Sequence, residues 1–225
     1  LCRPERRDTL IARYREVAHA LPHAIALDVD GTSLTFDELL HRAYSLARKI
    51  ATLFPADSRP LAVDTDATTN SIVLMLAVVA AGHPLVTKAY EVANALALSP
   101  HDRVGNSLPV SFGAGLNTLF AGLLSGAAVH CRDPRSGVPS SIVEWTAAHA
   151  LTTLHCSSSL LRAVSAADHG PTGRSGVPTL RVVITYGEAL HSDDADGFRR
   201  RFDSRATVVN WYATTEAGAV AYGEY

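Results

Sequence analysis

Short apolar runs alternate with amphipathic helical patterns along most of this chain, and that alternation admits few folds. Runs at Val104 to Leu108, Ala128 to Cys131, Thr152 to His155, Arg181 to Thr185 and Thr207 to Val209 have the length and composition of buried strands. Between them, Leu116 to Leu124, Ser140 to His149, Ser158 to Ala167 and Ser192 to Phe202 repeat apolar residues at helical spacing. Strands buried on both faces and separated by helices predict an α/β fold, with layered, mostly parallel sheets flanked by helices.

The N-terminal third follows the same grammar. Thr9 to Leu21 sets Leu10, Tyr14, Val17 and Leu21 on one helical face. Asp30-Gly31 is a turn signal between extended pieces at Ala24 to Asp28 and Ser33 to Thr35. Thr35-Phe-Asp-Glu38 reads as a capping box, and the helix it opens directs Leu39, Leu40, Ala43, Leu46, Ala47 and Ile50 inward. Leu61 to Val63 is a further strand expectation, and Asn70 to Ala81 is a nearly all-apolar helix stopped by Gly82. The Gly, Pro and Ser-rich stretch from Gly170 to Pro178 reads as a surface loop.

Composition narrows the partners. A formal net charge of -2 with no Lys/Arg block argues against nucleic acid, whose phosphates demand clustered cations. The longest apolar stretch, Ile72 to Gly82, is too short to span a bilayer, so no membrane partner is expected. Cys2, Cys131 and Cys156 are widely spaced and match neither a disulfide framework nor a zinc site, and a reduced, cytoplasmic setting is the simplest expectation. His130, His149 and His191 lack metal-ligand spacing and read as surface or capping residues, while Asp193-Asp194 suits a helix N-terminus.

Two stretches at strand ends could carry chemistry, since open α/β sheets bind ligands beyond the carboxyl ends of their strands. Asn210-Trp-Tyr-Ala-Thr-Thr-Glu-Ala-Gly218 offers aromatic faces for a flat ring, and two hydroxyls beside a carboxylate suit a phosphate with its Mg2+. On residue types alone, an ordinary strand-to-loop turn with threonine caps is the commoner origin of such a stretch. Tyr186-Gly187-Glu188-Ala189 follows an apolar strand, and Gly187 would let a ligand approach the backbone. A helix-entry turn, with Glu188 near a helix N-terminus, accounts for it equally.

Order and spacing add what composition lacks. SLTFDELLHRAYSLARKIA, SPHDRVGNSLPVSFGAGLNTLFAGLLSGAAV, LTTLHCSSSLLRAV, LRVVITYGEAL and NWYATTEAG occur in that sequence over almost the whole chain. Together they resemble the large N-terminal domain of adenylate-forming enzymes, the superfamily of acyl-CoA synthetases, luciferase-like ligases and nonribosomal peptide synthetase adenylation domains. The resemblance implies ATP-dependent activation of a carboxylic acid to an acyl-adenylate, with ATP and Mg2+ as cofactors. Transfer to a thiol of coenzyme A, or of the phosphopantetheine of an acyl or peptidyl carrier protein, would follow. It implies that Tyr212 stacks on adenine beside Asn210, that Thr215 contacts the α-phosphate, and that Glu216 binds Mg2+. Thr215 and Glu216 are thus the implied catalytic pair. Gly187, Glu188 and Ala189 would line the adenine pocket. Ala213 stands where the family carries glycine.

The implied acyl pocket comprises Phe112, Gly113, Ala114, Asn117, His155, Ile184, Tyr186, Trp211 and Ala219. For His155, a satisfied histidine at a strand end and a substrate contact are both open. Phe112-Gly113 stands where the amino-acid-activating branch has Phe-Asp, so the aspartate expected to hold a substrate ammonium is missing. An unpaired ammonium in an apolar pocket is costly, which favours a simple acid. Bulky Tyr186 and Trp211 favour a short or aromatic acyl group over a long fatty chain.

One family feature is absent. The phosphate-binding loop "TSGTTGxPKG" is expected near Val86/Thr87, yet the sequence passes from Gly82-His-Pro-Leu-Val86 directly to Thr87-Lys-Ala-Tyr90, which resembles the helix after that loop. This divides the expected domain into a first α/β part, residues 1–86, and a second, residues 87–225. The ribose-binding aspartate, the hinge and the small C-terminal domain with its lysine are likewise not among these residues. Three origins are open: part of a longer enzyme, which is favoured, a truncated noncatalytic scaffold serving protein interaction in a synthase assembly, or excision by design. These 225 residues alone are not expected to turn over.

Overall fold

A computed structural model describes residues 9–54, 61, 63, 68–83, 88–133, 135–166, 177–202, 205–214 and 218–224. It divides into two compact units. The first takes Leu1–His101 with Leu116–Val129, and the second takes Asp102–Gly115 with His130–Tyr225.

In the first unit, Thr9 caps helix α1 (Leu10–Ala20), its hydroxyl accepting the Ala12 N–H at 3.3 Å. Strands β1 (Ile25–Val29) and β2 (Thr32–Thr35) form an antiparallel hairpin. Asp30 (φ 49°) and Gly31 (φ 80°) both turn left-handed between them, the conformation that makes Asp-Gly a hairpin signal. The expected capping box is formed: Glu38 N–H donates to Thr35 Oγ1 at 3.2 Å, and Thr35 N–H donates to Glu38 Oε2 at 2.9 Å. Helix α2 (Phe36–Leu53) then buries Phe36, Leu39, Ala43, Ala47 and Ile50. Helix α3 (Thr69–Ala80) follows, with Gly82 at φ 99° just past its end. The Lys88 N–H, ahead of helix α4 (Ala89–Ala95), donates to Asn117 Oδ1 at 2.9 Å.

Leu61 and Val63, expected within a strand, belong to no element and pack against the cluster of Ala47, Ile50, Ala77 and Val78. Ala62 lies outside the described residues, as do the 86/87 junction and residues 170–176 of the expected surface loop. Val177, at the end of that stretch, is buried in the core.

The second unit holds the parallel sheet. Strand β3 (Arg103–Asn106) leads into helix α5 (Gly113–Ser125) and strand β4 (Ala128–Cys131), of which Leu116–Val129 belong to the first unit. Helix α6 (Ser141–Ala148), strand β5 (Thr153–Ser157), helix α7 (Ser158–Ala166), strand β6 (Val182–Tyr186), helix α8 (Ser192–Phe202) and strand β7 (Thr207–Thr214) follow in alternation. β3, β5, β6 and β7 are parallel neighbours in that order, and strand β8 (Gly218–Glu224) returns antiparallel to β7. The fold is therefore α/β with a mostly parallel sheet, as the alternation predicts.

Side chains alternate between the sheet faces. Leu154, Cys156, Val183 and Val208 point to one face and join Ile142, Val143, Leu161, Val164, Ala195 and Phe198 of α6, α7 and α8 in a continuous core. The opposite face carries Asn106, His155, Ile184, Tyr186, Val209 and Trp211, all of them buried. One face makes the core. The other carries His155, Ile184, Tyr186 and Trp211, four of the residues that the family resemblance singles out.

Two local expectations change. The strand expected at Thr207 to Val209, with Asn-Trp-Tyr at its end, continues to Thr214, so Thr214 lies in the strand and not on the turn beyond it. Pairing with β8 accounts for the extension: Asn210 faces Gly223, Trp211 faces Tyr222, and Thr214 faces Gly218. His130, expected at the surface, is buried, and its ring centroid lies 4.7 Å from that of His149.

Candidate active site

Parallel register aligns the carboxyl ends of three strands. Ser157 of β5, Tyr186 of β6 and Trp211 of β7 stand side by side, and one step back so do His155, Ile184 and Val209. Two connections leave this edge, Leu108 to Phe112 after β3 and Gly187 to Leu190 after β6. They bound a cavity of about 430 Å³ lined by Leu108, Pro109, Ser111, Phe112, Ser157, Tyr186, Gly187 and Glu188. That volume lies within the range of small-molecule pockets, and its position is the one expected for an open parallel sheet.

Asn106 builds the first wall. Its buried side chain donates from Nδ2 to the Gly115 carbonyl at 3.0 Å and accepts the Leu108 N–H at Oδ1 at 3.2 Å. The Ser107 hydroxyl donates to the His155 carbonyl at 3.2 Å, and the Phe112 N–H donates to the Pro109 carbonyl at 2.9 Å. Gly115 is required at the base of this loop. A Cβ there would lie 2.2 Å from the Pro109 carbonyl oxygen.

Arg162 builds the second wall. Its guanidinium donates from Nε to Asp194 Oδ2 at 3.1 Å, from Nη1 to Glu188 Oε2 at 3.1 Å, and from Nη2 to the Ala189 carbonyl at 2.6 Å. Ser158 Oγ donates to the Glu188 carbonyl at 3.0 Å, so α7 holds this connection from two sides. Asp194 also accepts the His191 N–H at 3.0 Å. Burial opposes its ionisation, yet the His191 amide and Arg162 hold its carboxyl below the usual range. The Arg162 guanidinium is held charged by Asp194 and then Glu188. Arg162 is 38% exposed, so solvent screening leaves each ion pair individually weak. Its importance is geometric, since one planar group fixes three acceptors. Removing those donors in Arg162→Met is expected to speed amide hydrogen exchange at Gly187 to Leu190 about three- to tenfold, with little change in global stability. Unchanged exchange there would contradict the clamp.

His155 and Tyr186 form a pair behind the cavity. His155 Nδ1 lies 3.0 Å from the Tyr186 hydroxyl, and the two rings are stacked at 6.0 Å with 16° between planes. The Trp211 ring follows at 6.4 Å from Tyr186. Burial first, and the Arg181 charge second, push the His155 imidazole down to about 3, so it is neutral at physiological pH. Burial likewise pushes the Cys156 thiol, on the core face, up to about 12, which makes it inert as a nucleophile.

Of the expected acyl-pocket residues, the cavity wall brings together Phe112 and Tyr186. Gly113 and Ala114 continue from Phe112 into α5, and His155, Ile184 and Trp211 lie behind the wall in the sheet. Asn117 belongs to the first unit, where it receives the Lys88 amide. Ala219 sits in β8 with its backbone paired to Ala213. Of the expected nucleotide residues, Gly187 and Glu188 line the cavity and Ala189 is clamped beside them. Gly187 adopts φ 90°, and no atom lies within 4 Å of where its Cβ would be. Asn210 Oδ1 accepts the Thr185 hydroxyl at 3.1 Å, and Tyr212 on β7 is 58% exposed. Thr215 and Glu216 lie outside the described residues.

Sequence reasoning passed over Asn106, Ser158 and Arg162. Arg162 reads as part of the solvated face of an amphipathic helix, and only its three partners distinguish it. No helix among the described residues is long and apolar enough to cross a membrane.

Comparison with known proteins agrees with this architecture. The fold matches the nonribosomal peptide synthetase FmoA3 with a TM-score of 0.79 at 16% identity, over 99% of this chain and 33% of that one. It matches holo-PA1221, a nonribosomal peptide synthetase protein containing adenylation and PCP domains, with a TM-score of 0.78 at 16% identity, over 96% of this chain and 52% of that one. A Rhodopseudomonas palustris protein described as a long-chain-fatty-acid CoA ligase matches with a TM-score of 0.78 at 16% identity, over 97% of this chain and 79% of that one. These likenesses establish the fold alone. The chain spans a third of FmoA3 and about half of PA1221. No curated protein matches the sequence. The sequence profile of the AMP-binding enzymes matches residues 84–224, well over half of the chain and all of the parallel sheet with its candidate site. The chain belongs to the AMP-binding enzyme family.

Proposed function

We propose that this chain supplies the adenine and acyl subsites of an enzyme that activates a carboxylic acid to its acyl-adenylate with ATP and Mg2+. The acyl group then passes to a thiol of coenzyme A or of a carrier-protein phosphopantetheine. The observation that carries this reading is Gly187: left-handed, open on its side-chain side, and set on the cavity wall directly after β6. A ligand can reach backbone there that a Cβ would screen.

Residues fit the nucleotide base. Gly187, Glu188 and Ala189 would border adenine through backbone, and the exposed ring of Tyr212 offers it a stacking face. Arg162 holds Glu188 and Ala189 in place, while Thr185 orients the Asn210 amide. ATP would supply the adenylyl group: a carboxylate oxygen would attack its α-phosphate, and pyrophosphate would leave as the bond to the β-phosphate breaks. Negative charge then builds at the α-phosphate, and Thr215 and Glu216, assigned by motif, would serve that phosphate and Mg2+.

The test is AMP binding, followed by NMR line broadening or calorimetry. Tyr212→Ala is expected to weaken it about tenfold, since stacking on an aromatic contributes about 1–3 kcal/mol per base. AMP affinity insensitive to Tyr212 would remove the stacking role.

A second reading is favoured by one observation, the direct passage from Gly82-His-Pro-Leu-Val86 to Thr87 without a Gly/Ser/Thr loop. In it the chain keeps the fold as a noncatalytic platform within a synthase assembly. That reading expects neither AMP binding nor ATP–pyrophosphate exchange from the full natural protein, and either activity would rule it out.

A further inference from the structure

We infer that the acyl subsite takes a small planar aromatic acid without an ammonium group, and that Tyr186, held by His155, limits its depth. This deepens the reading above and rests on it.

The cavity wall carries two aromatic side chains, Phe112 from the connection after β3 and Tyr186 from the end of β6. Leu108 and Pro109 add apolar surface. Phe112 is 49% exposed, so a ring entering the cavity meets an aromatic face that the protein itself leaves uncovered. Flat aromatic faces favour a flat ligand, because offset and edge-to-face contacts add to the burial of apolar area.

Charge argues against an amino acid. Among the described lining residues the one carboxylate is Glu188, and its Oε2 already lies 3.1 Å from Arg162 Nη1. An ammonium in this cavity would compete with a guanidinium that also holds Asp194 and Ala189. The nearby imidazole of His155 is neutral and fully buried, so it supplies no counter-charge.

Depth argues against a long chain. Tyr186 lines the cavity yet is itself buried, so it closes the inner end. Its hydroxyl is engaged by His155 Nδ1, its ring is stacked on the same imidazole, and Trp211 flanks it. For the phenol to swing aside, the hydrogen bond and both ring contacts must break together. Gly187 and Glu188, assigned to the nucleotide, bound the same space and shorten what remains for the acid.

The experiment measures equilibrium binding of AMP and of three acyl-sulfamoyl adenosines, benzoyl, L-phenylalanyl and hexadecanoyl, to the 225-residue protein. The benzoyl compound is expected to bind at least about tenfold tighter than either competitor, the scale on which a pocket discriminates shape and unpaired charge. Tyr186→Ala is expected to raise the affinity for the hexadecanoyl compound relative to benzoyl about tenfold, and Tyr186→Phe to keep the native order. His155→Leu, which frees the phenol, is expected to narrow the benzoyl preference. A merely structural role would alter all three affinities together and leave their order unchanged. If Tyr186→Ala does not fold, the wild-type order and the His155→Leu ratio decide. AMP binding with equal affinity for all three compounds overturns the acyl inference alone. Failure to bind AMP overturns the functional reading, and this inference with it.

Discussion

Gly115→Ala is expected to destabilise the second unit by about 2 kcal/mol, although alanine is the better helix former. In an exposed helix the exchange would gain up to about 1 kcal/mol. At Gly115 the new Cβ would lie 2.2 Å from the Pro109 carbonyl oxygen, 2.8 Å from the Pro109 carbonyl carbon and 3.0 Å from the Leu108 carbonyl oxygen. All three are backbone atoms, so no side chain can rotate away, and overpacking of this kind costs roughly 1–3 kcal/mol or more. The loop must shift, and with it the Asn106 bridge and the Phe112 wall of the cavity. Gly113→Ala is the control. Its Cβ meets nothing within 4 Å, so the same chemical change two residues earlier in α5 is expected to be neutral or slightly stabilising. Denaturant unfolding reads the effect cleanly, because both tryptophans, Trp145 and Trp211, belong to the second unit and report on it by fluorescence. Equal midpoints for the two variants would refute the close approach.

Acid is expected to weaken the second unit through His155 well before most carboxylates are protonated. The imidazole titrates near 6.5 when unfolded and is pushed down to about 3 in the native protein. Its contribution to stability is therefore fully present above about pH 6.5. As pH falls below that, the unfolded chain takes up a proton that the native chain refuses, and stability drops by about 1.4 kcal/mol per pH unit until the native imidazole itself titrates. Asp194, whose native carboxyl is held low, adds a loss of the same sign at lower pH, below its ordinary range. His155→Gln separates the two, since glutamine keeps a hydrogen-bonding side chain and cannot titrate. Between about pH 6 and 4.5 the stability of the variant is expected to fall less steeply than wild type by about one proton's slope. Parallel pH profiles would show that His155 is not buried neutral.

Local rules carried most of the fold. The Thr35 to Glu38 box, the Asp30-Gly31 hairpin and the bounds of β4 and α8 follow from residues within a few positions of one another, and they stand where the pattern places them. β8 was illegible because Gly218 to Glu224 acquires its strand conformation from β7. For the same reason Thr214 read as the start of a turn: it is held extended by a partner strand that no local pattern announces. His130 misled in the other direction, since a polar residue in a short apolar strand gives no sign of which face it occupies. In the site, strand ends and glycines were readable one at a time. Apart from the local Leu108 amide, the hydrogen-bond partners that make Asn106 and Arg162 structural supports come from sequence positions 9 to 32 residues away.

The two faces of the parallel sheet have separate constraints. Leu154, Cys156, Val183 and Val208 hold the helices, whereas His155, Ile184, Tyr186 and Trp211 alternate with them on the other side. Because neighbouring positions in one strand answer to different demands, substitutions on the aromatic face can change that face while the helical core stays intact. A scaffold divided in this way is evolvable: alternate residues of β5, β6 and β7 can vary without rebuilding the domain that displays them.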